Sequence, residues 1–326
     1  MKVLWAGVAA TVLASAVCIQ PAFCQKGAPV PSAPPLPDNP ATNSEAMTEQ
    51  PAQPEAPPVV IPPLPSLDDA AARAEADRLG LALQREVPHL IPLTQAQRLH
   101  WVRMAREMIA ASDFQITRAQ VLVVVDRNPA VQKLALILAL PDSADWHVIG
   151  SVKVSTGTRG RKYYYVTPTG VFPNTTDRLG YRAEGTKNEH GIRGIGAKGM
   201  RVWDFGWHNA VKGWLTGGET GDIRLEMHAT DPDFLESRLG RPASEGCVRI
   251  PAAFNVFLDH HGLLDVEYEQ AASYDERFKA LLPKGRVPSP IAGEALIVVD
   301  SGQNMVPVRE SAKANGPLWQ ARRSDL

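Results

Sequence analysis

Three short apolar runs, at 121–125, 134–140 and 146–155, are separated by turn residues and set the fold class. The first is β-branched at four of its five positions, which suits a pleated, packed strand better than a helix. Asp126-Arg127-Asn128-Pro129 follows it as turn chemistry. In the third run, Val148, Ser151, Val152, Lys153 and Val154 alternate roughly. Arg224 to His228 alternates more cleanly, with Leu225 and Met227 on one face. Short strands spaced by turns indicate a β-rich domain beginning near residue 119.

Helical signals precede it. Ser66-Leu67-Asp68-Asp69 resembles a capping box at the head of an Ala-rich segment that Pro88 ends. Thr94-Gln95-Ala96-Gln97 repeats the signature, and Leu99, Val102, Ala105 and Ile109 recur at helical spacing. Two helices packed as a small subdomain over 66–118 are expected. Beyond Pro251, a residue suited to a first helical turn, 252–258 reads as a helix closed by Gly262. Leu264, Val266 and Tyr268 read as a closing strand, and 271–326 as a tail with a helix near 275–282 and a strand-like run at 295–299.

The first 65 residues read as processing and tether segments. Lys2, the apolar run 3–19 and Ala22-Phe23-Cys24 form a secretory signal over 1–24. Residues 26–65 hold 13 of the 28 prolines, so 25–65 is expected as a disordered linker. No later stretch of about 20 apolar residues offers a membrane span, and an exported, periplasmic protein follows. The net charge of −1 gives no general attraction to nucleic acid or to an acidic membrane. Signal removal takes Cys18 and Cys24 and leaves Cys247 as the one thiol. A lone thiol in an exported chain is either buried and inert or kept for reactivity.

Between the strands, 156–221 is Gly-rich and irregular, with Tyr163, Tyr164, Tyr165, Trp203, Phe205, Trp207 and Trp214. Within 153–201, ten Lys/Arg face three acids. A segment this long is usually functional or disordered, and the aromatics favour a lid, with Tyr165, Trp203 and Trp207 as substrate contacts. A solvated loop surface is the plain alternative.

The chemistry concentrates between His228 and Ser244-Glu245-Gly246-Cys247-Val248-Arg249. A thiol nucleophile needs a base within reach and backbone N–H groups aimed at the developing oxyanion. His228 at a strand end supplies the base, and Gly246 the small neighbour. Arg249, two residues from the thiol, shares its face in an extended segment and could hold a substrate carboxylate. His147, His208, His260 and His261 lack companions at metal-ligand spacing.

These residues resemble the YkuD-type L,D-transpeptidases. The resemblance rests on His228, the 15 residues 229–243, Ser244, then Gly246-Cys247-Val248-Arg249, with Val154-Ser155-Thr156-Gly157 and 167–172 upstream, and it spans about 119–270. Two positions depart: Glu245 stands where the family usually has His, and Ala229 where it often has Gly. His190-Gly191 looks like the family's His-Gly pair but lies 57 residues before Cys247. The resemblance implies a mainly β, sandwich-like catalytic domain with a lid. Cys247 would attack a peptidoglycan stem peptide, His228 would act as base, Gly246 would help form the oxyanion site, and Ser244 would orient the site. Glu245 would either face the acceptor ammonium or point outward. No metal or organic cofactor is implied. The acceptor would be a second stem, a wall-attached protein, or water in a carboxypeptidase. A non-catalytic wall-binding module is the alternative of another class.

Overall fold

The computed structural model describes residues 60–303. The signal segment, nearly all of the Pro-rich stretch and the end of the tail lie outside the described residues. Helix α1 (Asp69–Glu86) and helix α2 (Gln95–Ala110) come first. Strands β1 (Gln120–Asp126), β2 (Lys133–Ala139), β3 (His147–Lys153), β4 (Gly170–Pro173), β5 (Tyr181–Arg182), β6 (Arg201–Val211), β7 (Thr220–Ala229) and β8 (Val248–Ile250) follow. Helices α3 (Ala252–His260), α4 (Val266–Ala271) and α5 (Glu276–Leu281) then lead to strand β9 (Ala295–Val299).

The strands form two sheets, β3-β2-β1-β9-β4 and β5-β6-β7-β8, so the domain is mainly β with no closed barrel. Val121, Val123 and Val125 share one core with Trp203, Phe205, Leu225 and Met227 of the smaller sheet. Leu122 and Val124 face the other way, onto Trp101, Met104 and Met108 of α2. Burial on both faces explains why β1 reads as a continuous apolar run.

The two N-terminal helices do not form a separate pair-packed subdomain. Helix α1 enters the shared core through Ala72, Ala76, Leu79 and Leu83, whereas α2 covers the opposite face of the five-stranded sheet. The N-cap of α1 is Asp68, whose carboxylate accepts from the Ala71 N–H, rather than Ser66. The Thr94–Gln97 capping box forms with both of its bonds. The buried face of α2 is rotated from the expected stripe: Trp101, Met104 and Met108 are inside and Leu99 is exposed.

Three further expectations change. Val266 and Tyr268 belong to α4, not to a strand. Alternation over three residues is too short to fix a period, and Val266, Tyr268 and Ala271 are all buried on the helix. The strand-like run in the expected tail is β9, inserted between β1 and β4 and parallel to β1. The supposedly irregular 156–221 contains β6, the longest of these strands at 11 residues. A bulge between Asp204 and Trp207, with Gly206 at φ 88°, breaks its alternation.

Three of the ten basic residues in 153–201 pair with acids from elsewhere in the chain. Arg182 pairs with Asp259, Arg193 with Asp231 and Asp233, and Arg201 with Asp265. Asp265 is a buried hub: its Oδ1 accepts from Arg201 Nη2, Trp203 Nε1 and Asn174 Nδ2, each at 3.1 Å. Removing one partner of a fully buried ion pair leaves an uncompensated charge. Asp265→Ala is expected to lower the unfolding free energy by about 3–5 kcal/mol, measured by chemical denaturation; a loss under about 1 kcal/mol would mean that the hub does not hold the sheet to α4.

Candidate active site

Cys247 sits one residue before β8, at the end of a tightly held loop. The Ser244 hydroxyl donates to the Cys247 carbonyl at 2.5 Å and accepts from the Gly246 N–H at 3.2 Å. Thr167 Oγ1 donates to the Gly246 carbonyl at 2.6 Å and accepts from the Gly157 N–H at 2.8 Å. The Tyr165 N–H donates to the Glu245 carbonyl. Two glycines permit this packing. Gly246 has φ 144°, and a Cβ there would meet Ile223 Cδ1 at 2.8 Å; a Cβ on Gly157 would lie 1.9 Å from the Tyr165 carbonyl oxygen. Strand β8 is tied on its far side by reciprocal backbone bonds between Ser155 and Arg249.

Strands β7 and β8 run parallel, with Met227 opposite Val248, His228 opposite Arg249 and Ala229 opposite Ile250. Leu225, Met227, Val248 and Ile250 point into the core, so Arg224, Glu226 and His228 occupy the other face. Across the sheet, Tyr181, Val202, His228 and Arg249 are registered partners. Asp204 opposite Glu226, and Trp207 opposite Arg224, form the next rows. Two residues before Arg249, Cys247 falls level with Glu226 and diagonal to His228. Its thiol contacts the Arg224 carbonyl at 3.8 Å, and the Glu226 backbone N–H faces the sulfur and favours its thiolate form. A parallel neighbour would bond to these same two groups, so the sulfur occupies a place in the ladder.

Beside His228 the face is covered. Ala183 and Met200 bond through their backbones, Gly196 abuts Ala229, and Asp231 Oδ2 accepts from the Arg193 N–H. His228 is 3% exposed. Its Nδ1 bonds to the Ala229 carbonyl at 2.6 Å. A carbonyl only accepts, so Nδ1 carries the proton and Nε2 is bare. Among the described residues no hydrogen bond joins His228 to Cys247.

Burial governs the charges. Desolvation, with a smaller contribution from Arg249, pulls His228 down to about 4 against the opposing Ala229 bond. Desolvation, with Glu226 adding to it, pushes the Cys247 thiol up to about 11; the Glu226 N–H and Arg249 act the other way. The neutral thiol and neutral imidazole are therefore the resting forms. Glu226 is raised, chiefly by burial and also by Asp204, while the Tyr181 hydroxyl, donating at 3.1 Å, opposes this. Burial lowers Arg249. Its Nη1 donates to the Ala243 carbonyl, and its buried Nε has no partner.

Of the expected site residues, Cys247, His228, Arg249, Ser244 and Gly246 come together. The Gly246 N–H is engaged by Ser244, so it is not free for an oxyanion. The Glu245 side chain is exposed, and Arg249 bonds to Ala243 rather than to it. Tyr165 lies against the Gly246 turn and packs edge-on with Trp214 at 5.1 Å. Trp207 is 70% exposed on the face that carries the thiol. Trp203 is fully buried and hydrogen-bonded to Asp265, so it cannot contact a substrate. His190 lies on an exposed loop beside Glu189. The sequence does not single out Tyr181, Asp204, Arg224 or Glu226; the signal for Arg224 and Glu226 is their alternation with the buried Leu225 and Met227, which sets them on the His228 face. A cavity of about 400 Å³, lined by Arg127, Gly157, Arg159, Val166 and Asp300 among others, does not include Cys247.

No helix among the described residues is long and apolar enough to cross a membrane. No family model and no curated protein matches the chain. One solved structure that matches is the crystal structure of a fused Zn-dependent amidase/peptidase/peptidoglycan-binding domain-containing protein from Clostridium acetobutylicum. It is 12% identical and covers 64% of this chain and 70% of that one, with a TM-score of 0.25. A likeness that low carries no argument.

A thiol near 11 has only a trace of thiolate at neutral pH, and that fraction grows about tenfold per pH unit. Alkylation of Cys247 by iodoacetamide is expected to quicken about tenfold per unit from pH 7 to 10 without a plateau. A plateau below pH 9 would instead reveal a preformed thiolate–imidazolium pair.

Proposed function

We propose that this chain is a cysteine acyltransferase of the cell wall, an L,D-transpeptidase acting on peptidoglycan stem peptides. The observation that carries the reading is the placement of Cys247 and His228. A partly exposed thiol and a bare imidazole nitrogen stand diagonally on one face, at adjacent ends of parallel strands. The Ser244 turn fixes the nucleophile's backbone. The sequence resemblance supports the substrate class.

In this reading the sulfur attacks the carbonyl between the third stem residue and its terminal D-alanine. His228 Nε2 takes the thiol proton as the C–S bond forms, because neither group is charged at rest. Hydrogen bonding of Nδ1 to Ala229 keeps the ring in the accepting tautomer. With the Gly246 N–H engaged, the Cys247 N–H serves the oxyanion. The imidazolium returns its proton to the departing amine, and D-alanine leaves a thioester on Cys247. An amine of a second stem or of a wall-attached protein, or water, then resolves it. Arg249 holds the donor's carboxylate side, and Tyr165 and Trp207 border the peptide.

Incubation with a disaccharide-tetrapeptide, followed by mass spectrometry, tests this directly. The expected products are free D-alanine, a thioester on Cys247, and a cross-linked or trimmed stem. Cys247→Ala should abolish turnover and carbapenem labelling. His228→Ala should cost about 10²–10⁴-fold in acylation rate, while His190→Ala should not slow it. Turnover by Cys247→Ala at the wild-type rate would end the proposal.

A further inference from the structure

The face that carries the thiol also carries a carboxylate that the acylation steps leave unused. Glu226 is on β7, level with Cys247, and its own backbone N–H faces the sulfur. Its side chain projects to the same face as the His228 imidazole. Oε1 accepts from the Tyr181 hydroxyl at 3.1 Å. No hydrogen bond from a described residue reaches Oε2, which is also not among the buried unpartnered atoms.

The other acids nearby are committed or turned away. Asp204 takes Arg224 through its Nε and Nη2 and also accepts from the Gly206 N–H. Glu245 is exposed. Arg224, which approaches Glu226 at 3.9 Å, is already neutralised by Asp204. The groups around Glu226 are thus Tyr181 from β5, Asp204 from β6, Arg224 and His228 from β7, and Cys247 and Arg249 from the β8 side. Asp204 and Arg224 cancel, which leaves the Glu226 carboxylate without a paired cation, while Arg249 stands on the β8 side of the sulfur and bonds to the Ala243 carbonyl.

We propose that the Glu226 carboxylate receives and deprotonates the amine acceptor, holding a primary ammonium group beside the Cys247 thioester. This rests on the acyl-enzyme reading above. A protonated amine is not a nucleophile, so aminolysis of the thioester waits until one is deprotonated. Glu226 takes one proton from R–NH₃⁺. The freed lone pair attacks the thioester carbonyl, the C–N bond forms and the C–S bond breaks. The nitrogen's second proton passes through His228 to the departing sulfur, restoring the thiol. Glu226 then loses its proton to solvent, so each transfer to an ammonium acceptor releases one proton. Burial that raises Glu226 brings its basicity closer to that of an amine, which favours this step.

The test uses the mature chain, a stem tetrapeptide as donor, and two acceptors: the stem's side-chain amine, charged at neutral pH, and hydroxylamine, which is largely uncharged there. Thioester formation is followed by intact mass, and the partition between amine transfer and hydrolysis by chromatography. For Glu226→Gln, thioester formation and Cys247 alkylation should quicken, because a negative charge has left the sulfur's surroundings. Transfer to the stem amine should fall at least tenfold relative to hydrolysis, while transfer to hydroxylamine should keep its ratio. Glu226→Asp, which keeps the charge, should recover part of the stem-amine transfer. An unchanged partition in Glu226→Gln, or an equal fall for both acceptors, would overturn the proposal while leaving the acyl-enzyme intact. A wild-type chain that never forms the thioester would overturn the acyl-enzyme reading itself.

Discussion

Everything at the candidate site depends on a parallel ladder of three residue pairs between β7 and β8. Three pairs are too few to hold a strand alone. The ladder persists because β8 is clamped from both sides. Ser155 bonds to it reciprocally at Arg249, and the Thr230 N–H reaches the Ile250 carbonyl. Val248 and Ile250 sit in the main core. The strand is anchored by apolar burial on one face, so the register on the other face is fixed. A slip of one residue would send Arg249 inward and Val248 outward. Register, rather than any direct bond between them, places Cys247 near His228.

That arrangement has an electrostatic consequence. The Glu226 N–H at the sulfur favours thiolate, yet burial outweighs it and the thiol stays protonated. His228 is likewise held neutral. Such a pair holds little thiolate at neutral pH, and a thiol with little thiolate is slow to oxidise or to be alkylated.

The sequence exposed the parts of this architecture whose signals are local. The Thr94–Gln97 box, the β-branched run of β1 and the alternation around Leu225 and Met227 each depend on a few neighbours, and each appears in the fold. Strand β6 was hidden because a bulge and Gly206 interrupt its period, and because Asp204 and Arg201 are buried through long-range ion pairs. Strand β9 looked like part of a tail because its partners, β1 and β4, lie more than a hundred residues earlier. Trp203 looks like a ligand contact because an aromatic cluster in a Gly-rich stretch resembles a lid. Its burial depends on Asp265, 62 residues away. At the site, Cys247 and His228 were legible from motif spacing, whereas Tyr181 and Glu226 became visible only when the strands were placed side by side.

The perturbed groups on the thiol's face show a common direction. Cys247, Glu226 and Tyr181 are raised, and His228 and Arg249 are lowered, with desolvation the largest cause in every case. Each shift favours the uncharged form. Arg224 is the exception and is raised, because the Asp204 hydrogen bond outweighs burial there. A site that penalises isolated charge in this way discriminates among ligands by what they neutralise. A carboxylate arriving near Arg249, whose Nε lacks a partner, would compensate a buried cation. An ammonium arriving near Glu226 would compensate a buried anion. A ligand pair bringing one of each would leave the face closer to neutral than it found it.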